Sequence, residues 1–228
     1  MTARTLLAAI ACFALAGCAA GAGSRPSIAR MLQQGPNIGK VVATEIAFAR
    51  AAQNDGQWTA FREFAASDAT MFVPQAVDAQ EWLKKQTDPA EAVKWQPHEV
   101  WSSCDGSLAV TRGAWQRPDG SQGYFTTVWQ RQEDGEYKWV MDQGEPLATP
   151  LVAPELVRGE VADCEGEPQI TVHHVNLEAV NRTVHSKDKT LQVEWNVHPS
   201  GRRHVSVAIL RKGKTTEVFK TIVDAPAS

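Results

Sequence analysis

KWQPHEVWSSCDGSLAVTRGAWQRPDGSQGYFTTVWQRQEDGEYKWVMD, residues 94–142, alternates apolar and polar side chains with a period of two. That spacing turns one face of a β-strand to a core and the other to water. The pattern breaks at Asp105-Gly106, Asp119-Gly120 and Asp134-Gly135. Asp-Gly between alternating segments signals a hairpin, because glycine takes the positive φ that the turn needs. Four strands follow, at 94–103, 107–117, 123–132 and 136–142, joined as an antiparallel meander. Read as two-residue turns, the breaks set the pairing. Glu99 then faces Arg112, Arg112 faces Thr127, and Thr127 faces Asp142. This polar row crosses an apolar face that carries Trp101, Val110, Trp129 and Val140 on one side and Pro97, Ala114 and Phe125 on the other. Two readings stay open. In the first, Arg112 with Glu99 or Asp142 is a buried ion pair that only sets the register. In the second, the face is a pocket wall: Arg112, Thr127, Trp101 and Trp129 bind a ligand, and Asp142 or Glu99 is a general base. Apolar walls would raise such a carboxylate's pKa and Arg112 would lower it.

Upstream the period changes to that of a helix. Residues 40–54 place Val42, Ile46 and Ala49 on one stripe and Val41, Phe48 and Ala52 on another, and Asp55-Gly56 ends the run. Residues 57–65 put Trp58, Phe61 and Ala65 on one face of a second helix. A short strand at 70–73 stops at Pro74, and Asp78 can cap a third helix at 79–85. Three helices before a curved meander make an α+β arrangement with the helices on one face of the sheet.

The run TEIAFARAAQNDGQWTAFREFAASDATMFVP (44–74), followed by GYFTTVWQRQEDGEYKWVMDQG (123–144), resembles the nuclear-transport-factor-2-like, or ketosteroid-isomerase-like, superfamily. Among its branches it is most similar to the polyketide-cyclase-like domains of exported bacterial proteins. The resemblance covers residues 39–148 and implies a cone whose open end holds a pocket. The superfamily houses isomerases, dehydratases, cyclases and plain binding modules, so the fold does not decide the function. Its isomerase branch implies a carboxylate base with a tyrosine and a protonated aspartate. Tyr124 and Tyr137 are the two tyrosines here, neither lies in a family motif, and no catalytic residue is carried over.

Beyond residue 148 the character shifts. Pro150 and Pro154 mark a linker over 149–168, and residues 169–228 form a small all-β appendage with strands at 169–175, 190–197, 204–212 and 215–224. The run VSVAIL at 205–210 offers an apolar face for docking onto the first domain. Five of the six histidines lie in the appendage. The adjacent His173 and His174 point to opposite faces of a strand, so we assign no metal site and no cofactor.

The N-terminus directs the chain outward. Arg4 precedes an apolar run at 6–16 (LLAAIACFALA), which has signal-peptide length and is too short to span a bilayer. Leu15-Ala16-Gly17-Cys18 resembles a bacterial lipobox, which implies a palmitate-type lipid on Cys18. The alternative is plain secretion, with cleavage after Ala22. Ala19 points the lipoprotein to the periplasmic side of the outer membrane. Residues 1–18 are then signal and lipobox, and 19–38 a flexible tether. Loss of Arg4 takes the chain from a net charge of −3 to near −4, with no basic stripe, so nucleic acid is excluded as a partner. Cys12 leaves with the signal. Cys104 and Cys164 remain as a pair in an oxidising compartment and read as a disulfide or as reactive thiols. Two function classes remain. One is an envelope lipoprotein whose pocket holds a small apolar or anionic ligand, or serves as a scaffold, with an envelope protein met by the β appendage. The other is an acid-base enzyme acting on a small carbonyl-containing substrate.

Overall fold

The structure, a computed structural model, describes residues 35–168 and 180–225. Helix α1 (Ile38–Asn54) starts where the Asn37 side chain accepts the Lys40 amide at 2.8 Å, satisfying one donor that a helix start leaves open. Its buried stripe is Val41, Glu45, Phe48 and Ala52, whereas Ile46 is 44% exposed. Of the two expected stripes, the one through Val41 faces the core. Helix α2 (Gln57–Phe64) follows Gly56, whose φ is 111°. A Cβ there would lie 2.3 Å from the Asp88 carboxylate, which accepts the Trp58 and Thr59 amides at 2.5 and 3.1 Å. Asp88 thus caps α2 from a distant loop. Asp78 caps α3 (Ala79–Leu83) by accepting the Glu81 amide at 2.9 Å.

The first sheet holds β1 (Ala65–Phe72), β2 (Ala76–Asp78), β3 (Lys94–Ser102), β4 (Leu108–Gln116), β5 (Gln122–Arg131), β6 (Tyr137–Pro146) and β7 (Arg158–Val161). Its order is β2-β1-β6-β5-β4-β3-β7. The meander is antiparallel as expected. It gains parallel strands on both flanks, β1 beside β6 and β7 beside β3. The second sheet is β11-β10-β9-β8, from β8 (Val180–His185), β9 (Leu191–Val197), β10 (Arg203–Arg211) and β11 (Lys214–Val223). The expected strand at 169–175 and the whole N-terminal signal lie outside the described residues.

The helices cover one face of the first sheet around Phe48, Ala109, Trp129 and Trp139. The second sheet covers the other face. Trp101, Leu108, Val110, Val128 and Met141 form one core there with Leu191, Val193, Val205, Val207 and Ile209. The run at 205–210 docks on the first domain as expected, and the appendage is a second layer over the meander. A disulfide joins Cys104 to Cys164 with 5.2 Å between the Cα atoms, inside the usual range.

The two sheets also meet through a pair of matching turns. Ser-x-Asp-x-Ser-Leu at 103–108 and Ser-x-Asp-x-Thr-Leu at 186–191 have the same build. In each, the serine hydroxyl donates to the aspartate, at 2.7 Å for Ser103 and 2.6 Å for Ser186. They dock reciprocally. The Asp105 amide donates to Asp188 at 2.7 Å, and the Asp188 amide to Asp105 at 3.2 Å. The Cys104 amide donates to Thr190 at 2.9 Å, and the Lys187 amide to Ser107 at 2.8 Å.

Turn geometry corrects the expected register. The second and third hairpins close around three residues, with Arg117 bonded to Ser121 and Gln132 to Glu136, and glycine ends each loop at φ 86° and 87°. This is the three-residue loop with a left-handed last residue rather than the two-residue turn. Arg112 therefore pairs with Thr126, not Thr127. A one-residue slip moves a side chain to the opposite face. Thr127 still pairs with Asp142, because a bulge at Val140 restores the offset, and Glu99 pairs with Arg112 as expected. The polar row is split between two faces.

Candidate functional site

Glu99, Arg112 and Trp101 belong to the side that meets the second sheet. Arg112 ion-pairs with Glu99 at 2.9 Å, and its guanidinium lies 5.0 Å from the Phe219 ring and 5.7 Å from that of Tyr124. Trp101 stacks on Phe219 at 6.1 Å. These contacts lock the two layers together, so the structure corrects the ligand-wall reading of Arg112 and Trp101 and the base reading of Glu99. Arg112 does not reach Asp142.

Thr127, Asp142 and Trp129 turn to the helices instead. A cavity of about 150 Å³, partly open to solvent, lies between α1, α2 and the sheet. Its wall is largely aromatic and includes Phe48, Trp58, Phe61, Trp95, Trp115 and Phe125. Edge-to-face contacts hold that wall, with Phe48 at 4.7 Å from Phe61 and 4.8 Å from Trp95. Asp142 lines the cavity and accepts the Thr127 hydroxyl at 2.7 Å. It keeps some accessible surface although it sits deep in the protein, as a carboxylate on a cavity wall should. Burial pushes its pKa up to about 7, against the Thr127 bond that lowers it, and the nearby Glu45 adds to the rise. The contest left open by the sequence is decided by the register: with Arg112 on the other face, desolvation wins. Arg117 supplies a cation at the same cavity.

Trp129 lies fully buried behind the wall, and its indole N–H donates to Glu45 and Thr111 at 3.0 and 2.9 Å. Glu45 is the residue that sequence reasoning missed. It is 0% exposed and also accepts from Trp95 at 2.7 Å and from Thr111 at 2.5 Å. Burial raises its pKa against these three donors. A signal did exist: the stripe Val41, Phe48, Ala52 skips one turn of α1, and Glu45 fills it.

Both tyrosines are used elsewhere. Tyr137 donates to the Gly106 carbonyl at 2.6 Å, and the Tyr124 hydroxyl is 3.0 Å from that of Thr221. Larger depressions of about 280 to 350 Å³ occur on the surface. None of these joins an aromatic wall to a carboxylate whose pKa is shifted. Among the described residues no cluster of three potential metal ligands is found.

No protein-family model matches the chain, and comparison with curated proteins finds no match. Solved structures do align with it. A ketosteroid-isomerase-like protein of Parabacteroides distasonis is 16% identical, over 51% of this chain and 97% of its own, with a TM-score of 0.40. Two nuclear-transport-factor-2-like proteins of unknown function align similarly. The one from Methylobacillus flagellatus is 14% identical over 48% of this chain and 90% of its own, at a TM-score of 0.37. The one from Mesorhizobium loti is 16% identical over 47% and 93%, at 0.29. Each alignment takes in about half of this chain and nearly all of the other.

Proposed function

We propose that this chain is an exported lipoprotein of the cell envelope, held on the periplasmic side of the outer membrane through Cys18, whose first unit binds a small molecule in the cavity over Asp142. The observation that carries the binding reading is the cavity itself. Seven aromatic side chains line it without closing it, and a polar group waits on its wall. Few convergent polar groups in an apolar pocket are what a small-molecule site presents. At about 150 Å³ it suits a compact ligand. The Cys104–Cys164 bond supports export, since such bonds persist in oxidising compartments. An envelope protein partner would meet the outer face or an edge of the second sheet, because its inner face is used for packing. Mass spectrometry of compounds released from the mature protein tests the binding reading. A ligand retained by wild type and lost in Asp142→Asn supports it. No retained compound, together with no change in tryptophan fluorescence on adding small-ring probes, refutes it.

A second reading rests on Asp142. A carboxyl with a pKa of about 7 is half ionised at neutrality, where a general base works best. It would take a proton from carbon beside a substrate carbonyl. Deuterium exchange into a small cyclic ketone in heavy water, present in wild type and absent in Asp142→Asn, would establish it; equal exchange in both would remove it.

A further inference from the structure

The cavity is lined by an acid, Asp142, and by a cation, Arg117. Arg117 lies just past β4, on the strand face that carries Thr111, Gly113 and Trp115, and its guanidinium is 4.6 Å from the Trp115 ring. Among the described residues it enters no ion pair; Asp119, in the adjoining turn, acts on it electrostatically from farther away. A guanidinium stacked on an indole is held in orientation and offers parallel N–H donors that match a carboxylate.

The strand register relates the two groups through Gly144 and Trp115. Asp142 and Gly144 are neighbours on one strand face, about 7 Å apart. A Cβ on Gly144 would lie 3.1 Å from the Trp115 indole nitrogen, so the absence of a side chain there lets the Trp115 ring reach toward Asp142. Arg117 rests over that ring. One six-membered ring with a polar group at each end can meet both. The volume agrees, since a cavity of about 150 Å³ lined by apolar side chains accommodates a benzene ring. Thr127 occupies one oxygen of Asp142, which leaves the other for a ligand.

We infer that the pocket takes a monocyclic carboxylic acid, with its ring on the aromatic wall, its carboxylate on Arg117 and a hydroxyl or carbonyl at the far end on Asp142; this rests on the small-molecule reading above. Long acyl chains and multi-ring compounds exceed the volume.

Quenching of tryptophan fluorescence in the mature protein by 4-hydroxybenzoate, benzoate and phenol tests the assignment. Wild type is expected to bind 4-hydroxybenzoate about tenfold or more tightly than phenol, the difference a charged hydrogen bond makes. Arg117→Gln should erase that preference and leave phenol affinity unchanged. Asp142→Asn should weaken 4-hydroxybenzoate and phenol and spare benzoate. Arg117 is exposed, so an unchanged thermal midpoint will show that its variant is folded. Equal affinities for 4-hydroxybenzoate and phenol, or a preference that survives Arg117→Gln, would overturn the inference while the small-molecule reading stands. If none of the three binds, the inference falls; the small-molecule reading falls with it only if no compound co-purifies either.

Discussion

Asp142 and Glu45 share one physical situation with different outcomes. Both are acids held in the interior, and burial raises the pKa of both. For Asp142 the folded pKa of about 7 stands above its ordinary 3.8, so between those values the folded state holds a proton that the unfolded state has released. Stability from this group is complete below the ordinary value and is lost as pH rises through about 7. Thermal unfolding from pH 4.5 to 8 should therefore show the wild type losing ground to Asp142→Asn as pH rises. A wild type that gains on the variant over that range would contradict the assignment. Glu45 accepts from two indoles and a hydroxyl, so Glu45→Ala strands buried donors as well as opening a void. We expect a loss of about 3 kcal/mol or more in urea unfolding, and about 1 kcal/mol for Glu45→Gln, which keeps the shape. Similar losses in the two variants would mean that the network contributes little. Asp142 was legible as a candidate beside Thr127 because that strand pairing survived the register change. Glu45 was not, because helical periodicity was read from apolar residues, and a charged residue at a core position appears to that reading as a gap in the stripe.

Turns were the weak point at the scale of elements. The helices and the four meander strands followed from period and punctuation, whereas β2, β7 and β8 were not expected: the first two are three and four residues long, too short for a period to show, and the parallel pairings of β1 with β6 and β7 with β3 come from long connections that local pattern does not encode. Asp-Gly correctly marked all three hairpins but did not specify loop length. One residue of difference in the second loop separated Arg112 from Thr127, and that parted the proposed ligand wall into an inter-sheet strut and a cavity floor. The matching turns at 103–108 and 186–191 share Ser-x-Asp-x-Ser/Thr-Leu, a likeness that reading by period passed over, and their docking leaves no sequence period at all. Their energetics are testable. Asp105 and Asp188 each accept the other's amide, so Asp105→Ala and Asp188→Ala should each cost about 2 kcal/mol, with a coupling of about 1 kcal/mol in the double-mutant cycle. Strict additivity would show that the turns are stable separately and merely touch. Burial pushes the Asp105 pKa up, yet bonds from Ser107 and Ser103 outweigh it and hold it below the ordinary carboxylate range. This contribution is present above the ordinary value and fades as acid protonates the folded state, the opposite sign to Asp142.

At the scale of the whole molecule, the proposed lipid on Cys18 would join the fold through the chain that enters it at Gly35. Gly35, the first described residue, lies against Gly106 and Arg131 at the disulfide end of the meander, whereas Trp115 and Arg117 border the cavity at the opposite end of β4. Under the proposed anchoring, the chain would run toward the lipid from the end of the meander opposite the cavity. Palmitate labelling of the membrane fraction, lost in Cys18→Ser with release of soluble protein, is the expected result; an unlabelled wild type would end the lipoprotein reading. The second sheet raises a further question, whether it is an independent domain. Its inner residues Leu191, Val193, Val205, Val207 and Ile209 are 0% exposed because they pack on the meander. Arg203 adds polar ties: it is 3% exposed, ion-pairs with Glu145, donates to the Pro74 carbonyl at 3.1 Å and sits 5.0 Å from the Phe72 ring. The disulfide closes a loop with a sequence separation of 60, a constraint of about 4 kcal/mol in the chain-entropy account. Separating the layers would expose Trp101, Leu108, Val110, Val128 and Met141 together, at roughly 2 kcal/mol for each large apolar side chain. That sum, about 10 kcal/mol, is comparable with the total stability of a typical domain, so neither layer should persist alone. Calorimetry of the oxidised mature protein should give one transition whose calorimetric and van't Hoff enthalpies agree. Two resolved transitions, or a folded fragment ending at residue 165, would show that the sheets are separate domains and that the shared core contributes less than its area implies.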